Sequence, residues 1–217
     1  MKSFFIIGTD TDCGKTYVTC KLLEYFQQNQ KLAIGLKPVA SGCFYENGDL
    51  VSKDAVLINQ YNKSTSIVDI SPWRLLNPIS PHLAAKVDNV SLTAENIKLF
   101  CTQDYLSKYD VVLFEGAGGL MVPLNDNQTW LDVLGLLNIP VILVVGMKLG
   151  CINHSLLTAE VLNKYNISVA GWIANCLDED MLYLEENIAT ITNKVNFPLL
   201  GKALKNGGFL SLTVNVP

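Results

Sequence analysis

Long apolar runs are missing from this 217-residue chain: stretches such as Val141 to Val145 fall far short of the roughly 20 residues that span a bilayer. No Cys-x-x-Cys pair occurs among Cys13, Cys20, Cys43, Cys101, Cys151 and Cys176, so metal-site spacing is absent and free, buried thiols are expected. Charge is sparse, at 17%, and 16 basic residues against 20 acidic ones leave a net charge of −4 with no basic stripe for nucleic acid. A hydrophobic content of 49% excludes a disordered chain. Lys2 followed by Phe4 to Ile7 resembles the start of a signal peptide, but the run ends at once in Gly8-Thr9-Asp10 without a cleavage site. Linkers, repeats and low-complexity segments are also lacking. The expectation is one cytoplasmic domain over residues 1–217, with neither membrane nor nucleic acid as partner.

What is present is an alternation of short β-branched runs with helical stretches. Ser3 to Gly8, Leu32 to Lys37, Val111 to Glu115, Val141 to Gly146 and Val169 to Ala174 read as strands. Their near-continuous Val, Ile and Leu content suits strands buried on both faces, as in a parallel sheet covered by helices. Lys15 to Gln28 reads as a helix with Val18, Leu22, Tyr25 and Phe26 on one face. Further helices are predicted at Asp54 to Tyr61, Ala94 to Tyr105 (with Thr93 as N-cap), Thr129 to Leu137, Asn153 to Tyr165 and Met181 to Val195. Pro123, Pro140 and Pro198 fall at element edges. The fold class is α/β: a doubly wound, mainly parallel sheet flanked by helices, with ligands beyond the carboxyl ends of the strands.

Four strand ends carry chemistry. The first leads through GTDTDCGKT, Gly8 to Thr16, into a helix, which makes an anion cradle of backbone N–H groups. Lys15 would reach the β/γ-phosphates and Thr16 would hold Mg²⁺, although five residues rather than four separate Gly8 from Gly14. The second ends in Lys37, followed by Ser41 and Gly42. Lys37 is placed to neutralise a transferring phosphoryl group or to orient a carboxylate, and an edge lysine is the plainer alternative. The third carries Glu115 before Gly116, Ala117, Gly118 and Gly119. A carboxylate there suits Mg²⁺, or a structural pair with Lys37. Asp54 reads as a further acid or as part of a helix start. The fourth leads to Gly150, Cys151, Ile152 and Asn153, a helix opening suited to a carboxylate or phosphate, with Lys148 nearby. Asn175 has the groups to read a purine edge with two hydrogen bonds. His82 and His154 read as satisfied residues rather than catalysts.

Several blocks are similar, in order and spacing, to the dethiobiotin synthetase family. They are GTDTDCGKT, KPVASG from Lys37, SPHLAA from Ser80, EGAGG from Glu115, VVGMKLGCINHSLLTAEV from Val144 and AGWIAN from Ala170, covering roughly residues 3 to 201. The family's phosphate loop is itself one residue longer than the general pattern. The resemblance implies a P-loop NTPase-like fold and a biotin-pathway ligase. In that reaction 7,8-diaminopelargonate captures CO₂ as a carbamate, ATP phosphorylates it, and ring closure releases dethiobiotin, ADP and phosphate. It implies Lys37, Lys15 and Thr11 as catalytic residues, and Thr16, Asp54 and Glu115 around Mg²⁺. Nucleotide contacts are implied for Asp12, Cys13, Gly14, Lys15, Thr16, Tyr17, Asp54, Glu115, Gly116, Ala117, Gly118, Asn175 and Cys176. Ser41 and Gly118 would touch the diamine, and Gly150 to Asn153 would bind its distant carboxylate from the partner subunit of a homodimer.

The chain departs from the family at Asp12, where Glu is usual, at Cys176, and after Gly201, where KALKNGGFLSLTVNVP lacks the family's Ile-Pro-Trp-like segment beside adenine. Competing functions are a switch or partitioning ATPase, whose signature lysine is replaced by Thr9, and a non-catalytic nucleotide module, in which Lys37, Asp54 and Glu115 would be surplus. A related amidoligase would need a glutamine-handling domain, for which the length leaves no room. Lys15 and Lys37 are expected on solvent-facing loop ends, so that their replacement by alanine would leave the fold intact.

Overall fold

A computed structural model describes residues 1–62, 65–176, 181–205, 207, 209–210 and 212. The chain opens with β1 (Lys2–Gly8), α1 (Lys15–Gln28) and β2 (Ala33–Leu36). A short excursion follows: β3 (Val39–Ser41), the hairpin of β4 (Phe44–Glu46) and β5 (Asp49–Val51), α2 (Lys53–Asn59), α3 (Ile67–Ile70), β6 (Trp73–Leu75) and α4 (Pro81–Val87). The chain returns through α5 (Ala94–Cys101), β7 (Val111–Gly119), α6 (Trp130–Leu137), β8 (Val141–Gly146) and α7 (Cys151–Lys164). It finishes with β9 (Val169–Cys176), α8 (Leu184–Lys194), β10 (Leu199–Leu204) and β11 (Phe209–Leu210).

Seven strands form the central sheet in the order β11-β10-β9-β8-β1-β7-β2. All pairings are parallel except β10 with β11. The apolar strands lie in the core as their composition requires: Phe5, Ile6, Ile34, Val112, Ile142 and Trp172 are all fully buried. Helices supply the covering layers. Val18, Leu22, Leu23 and Phe26 of α1 are buried, while Tyr25 packs half-buried at the margin. Pro140 and Pro198 serve through their carbonyls, which accept from Phe5 N and Trp172 N at 3.0 and 2.9 Å. All six cysteines are buried free thiols. Among the described residues no helix is long and apolar enough to cross a membrane.

Several boundaries move. The helix expected from Ala94 to Tyr105 stops at Cys101, because the Thr102 hydroxyl bonds back to Lys98 O at 2.9 Å and Gln103 is extended. A separate 3-10 turn, Asp104–Lys108, then carries Leu106 into the core. The α2 helix spans Lys53–Asn59 rather than Asp54 to Tyr61, started by Ser52, whose hydroxyl accepts from Ala55 N at 3.1 Å. Thr129 is a cap, not a helical residue: with Asp132 it closes a full capping box on α6. The α7 helix begins two residues before Asn153, at Cys151 behind Gly150, and α8 is shorter than Met181 to Val195. The β7 strand continues beyond Glu115 to Gly119, where Gly119 pairs with Gly8. The strands β3, β6 and β10 carry no clear periodicity signal, being short or interrupted by Gly201.

Candidate active site

The neighbouring strands β1, β7 and β2 end together, so the loop from Gly8 to Thr16, the run after Glu115, and Lys37 meet at one sheet edge. Gly8 has to be glycine for space: a Cβ there would press on Cys13 Sγ and stand 2.9 Å from Lys15 Nζ. Lys15 curls back, donating to Asp10 O at 2.9 Å. The loop is tied to β9 by Asn175, whose Nδ2 donates to Cys13 O at 2.8 Å. That bond leaves Asn175 Oδ1 buried without a protein partner among the described residues.

At the centre is an ion cluster in which Lys37 and Glu115 are buried and Asp54 is partly exposed. Lys37 Nζ lies 2.7 Å from Glu115 Oε1 and 3.0 Å from Asp54 Oδ2, and donates to Gly116 O at 3.0 Å. Thr16 Oγ1 donates to the same Glu115 Oε1 at 2.6 Å. Burial alone would lower the Lys37 ammonium pKa, but the charges of Glu115 and Asp54 and their hydrogen bonds outweigh it and hold it above the usual lysine range. Burial would likewise raise the Asp54 carboxyl, yet Lys37 and the Thr16 hydroxyl hold it below the usual carboxylate range. Burial, reinforced by the charges of Glu115 and Asp54, pushes the Cys20 thiol up to about 12, so it stays protonated. Glu115 Oε2 is buried with no hydrogen-bond partner among the described residues.

Lys15 and Lys37 are 7% and 3% exposed, so the expectation of solvent-facing lysines is wrong. Lys37 is enclosed by Glu115 and Asp54, and Lys15 by the loop itself, where Asp10 O and Cys13 Sγ lie 2.9 and 3.8 Å from its ammonium.

A cleft of about 750 Å³ opens above the cluster. Of the residues singled out from sequence it brings together Thr11, Asp12, Gly14, Lys15, Thr16, Lys37, Ser41, Asp54, Ala117 and Gly118. Gly118 has φ +68°, and a Cβ there would meet Val122 Cγ2 at 2.7 Å, so the cleft floor needs glycine. Cys13, Glu115 and Asn175 are buried behind the lining, and Cys176 is buried at the end of β9. Tyr17 turns toward the chain after β10. Pro78, Ile79, Ser80 and Pro81 form a wall to which sequence reasoning assigns no role. The available signal is Ser80-Pro81, an N-cap followed by proline at the first helical position of α4.

Gly150, Cys151, Ile152 and Asn153 lie outside this cleft, at the opening of α7 behind β8. Lys148 pairs with Asp10 at 3.3 Å. Ser80 Oγ lies 3.0 Å from His82 Nδ1, and His154 N donates to Gly150 O at 3.2 Å. In the described part of the divergent C-terminal segment β11 pairs back onto β10; residues 206, 208, 211 and 213–217 lie outside the described residues.

A family profile described as an AAA domain matches residues 2–204. An ATP-dependent dethiobiotin synthetase BioD of Legionella pneumophila (strain Paris) is 52% identical over 207 residues, covering 95% of this chain and 95% of that protein. The chain belongs to the dethiobiotin synthetase family. A dethiobiotin synthetase of Francisella tularensis subsp. tularensis (strain WY96-3418) is 40% identical over 210 residues, covering 97% of this chain and 93% of its own length. In fold alone, the chain is also similar to the MinC:MinD cell division protein complex of Aquifex aeolicus. The TM-score is 0.60 at 14% identity, over 95% of this chain and 82% of that one. The doubly wound parallel sheet of this dethiobiotin synthetase family member is thus the P-loop NTPase fold expected from its sequence.

Proposed function

We propose that the chain is an ATP-dependent dethiobiotin synthetase that carboxylates and closes 7,8-diaminopelargonate to dethiobiotin, with release of ADP and phosphate. The observation that carries this reading is the Lys37–Glu115–Asp54 cluster set against a phosphate loop, in a chain 52% identical to a protein of that name. One amine of the substrate adds to CO₂ and loses a proton, giving a carbamate. A carbamate oxygen attacks the γ-phosphorus of ATP and the bond to ADP breaks. The second amine then attacks the carbonyl carbon, the C–O bond to phosphate breaks, the amine gives up a proton to the departing phosphate, and the urea ring is complete.

Such chemistry needs positioning and charge stabilisation more than a protein nucleophile. Lys37, held protonated by its two carboxylates, supplies fixed positive charge beside the γ-phosphoryl position. Lys15 exchanges the Asp10 carbonyl for phosphate oxygens, and Thr11, at the cleft mouth, donates to the carbamate. Ser41 and the Gly118 backbone take the diamine end, and Ile79, Pro81 and Val122 cover the alkyl chain. Residues Asp12 to Thr16 and the stretch Gly116 to Gly118 surround the triphosphate, with Tyr17, Asn175 and Cys176 on its nucleoside side.

Among the described residues no three His, Cys, Asp or Glu side chains cluster as a metal cage. Mg²⁺ asks for less, one or two carboxylates with phosphate and water completing the shell. Thr16, Asp54 and Glu115 fit that donor set, and the partnerless buried Glu115 Oε2 is the atom such a cation satisfies. When bound, Mg²⁺ neutralises charge on the β/γ-phosphates.

The position of Gly150 to Asn153 outside the cleft favours a homodimer in which their N–H groups receive the substrate carboxylate held in the partner's cleft. Six free thiols and a dependence on ATP favour the cytoplasm. The test is isotopic: with ¹³C-bicarbonate, diamine and MgATP, the label should appear in the urea carbonyl of a product one carbon heavier than the diamine. An unlabelled diamine recovered unchanged while ATP is consumed would count against the assignment.

A further inference from the structure

Thr16 and Tyr17 are adjacent on α1 and point to opposite parts of the sheet. The Thr16 hydroxyl reaches Glu115 on β7 at 2.6 Å. The Tyr17 hydroxyl donates to the carbonyl of Leu204, the last residue of β10, with the carbonyls of Lys205 and Gly207 at 3.1 and 3.3 Å. In the strand order β10-β9-β8-β1-β7-β2 these two anchors flank the phosphate loop. A nucleotide whose terminal phosphate lies at Lys37 and Glu115, on the β7–β2 side, therefore extends its nucleoside toward β8, β9 and β10. The end of β10 and the chain just beyond it stand there, and one phenol faces the carbonyls of Leu204, Lys205 and Gly207. A hydroxyl has a single proton, so Leu204 O takes the bond and the carbonyls of Lys205 and Gly207 lie beside the same donor. The ring itself is held half-buried, with Lys21 Nζ 6.0 Å from its centroid.

We propose that Tyr17 is a positioning residue: its hydroxyl fixes the turn after β10 against the first turn of the phosphate-binding helix, and so sets the wall that meets the nucleoside. The proposal rests on the nucleotide reading of the cleft. It predicts that the Tyr17 hydroxyl contributes to binding through the nucleoside and not through the phosphates. A tyrosine that only stabilised the fold would not separate the two.

The test uses the full chain with Mg²⁺, titrated calorimetrically with ATP and, separately, with inorganic tripolyphosphate, in wild type, Tyr17→Phe and Tyr17→Ala. Loss of one ordering hydrogen bond in Tyr17→Phe should weaken ATP by roughly three- to tenfold. Tripolyphosphate affinity should hold to within about twofold, the scale of an unaffected contact. Tyr17→Ala, lacking the ring as well, should weaken ATP further. Tyr17→Phe keeps the ring packing and decides the matter if the alanine variant does not fold. Equal weakening of both ligands, or unchanged ATP affinity in Tyr17→Phe, would overturn the proposal. A wild-type chain that binds neither ligand would overturn both the nucleotide reading and the role of Tyr17. Nucleotide binding without diamine-dependent turnover would sink only the ligase reading, and the comparison of affinities would still decide Tyr17.

Discussion

Lys37 makes two kinds of contribution that a single substitution removes together. Its ammonium is the partner of a fully buried Glu115 and of Asp54, and the same charge faces the cleft. Breaking a buried pair from one side leaves the other charge uncompensated, at a cost of about 3–5 kcal/mol. Lys37→Ala should therefore lose both turnover and stability, contrary to the intact fold expected when the lysine is taken as exposed. Pairing it with Glu115→Gln, which removes the stranded charge, should recover part of that stability without restoring turnover. Urea midpoints of the two variants check this, and equal midpoints for Lys37→Ala and wild type would contradict the burial argument. Asp54 gives a prediction in pH. Its folded carboxyl titrates below the unfolded value, so its contribution is present above the ordinary carboxylate pKa near 4 and is lost as pH falls through the lower folded value. Asp54→Asn should flatten the acid limb of the stability curve below about pH 4 and leave the limb above pH 6 unchanged in slope.

At the scale of elements, the long apolar strands and α1 are legible because one pattern fixes each of them. A run such as Val141 to Val145 has only one comfortable place, inside a covered parallel sheet. The segment from Val39 to Val87 is not legible in this way. Its strands are three residues long and its helices four to seven, so no periodicity develops, and tertiary contacts decide. The Arg74 guanidinium ties the hairpin there by donating to Leu50 O at 2.6 Å, a long-range bond with no local signature. Ser80 and Pro81 illustrate the consequence: a recognisable helix start lines the cleft without announcing it. The lysines, the acids and the loop residues were legible because they follow strand ends, where ligands bind; burial of the lysines was not, since it depends on three strands meeting. The same scale gives a prediction about α6. Thr129 and Asp132 close its capping box, and Trp130 Nε1 donates to Ala117 O on the strand beside the cleft at 2.8 Å. Thr129→Ala should cost about 1 kcal/mol, read as a lowered urea midpoint with unchanged slope. No loss of stability would show that the cap is redundant with the burial of Trp130.

For the whole molecule, the strand order sets the cleft and the opening of α7 apart. The cleft opens where β1, β7 and β2 end, and Gly150 to Asn153 at the opening of α7 are not among the residues that line it. If the partner subunit completes the substrate site, the chain should sediment at twice its 23.9 kDa mass, and dilution to monomer should raise the KM for the diamine. A monomer with full affinity for the diamine would refute that arrangement. Coupling of ATP cleavage to closure of a cyclic urea in this cleft is read by phosphate release. The chain is supplied with MgATP and bicarbonate, with and without 7,8-diaminopelargonate. Phosphate release should depend on the diamine and match the dethiobiotin formed mole for mole. Phosphate release indifferent to the diamine would contradict that coupling and leave a P-loop switch ATPase in its place.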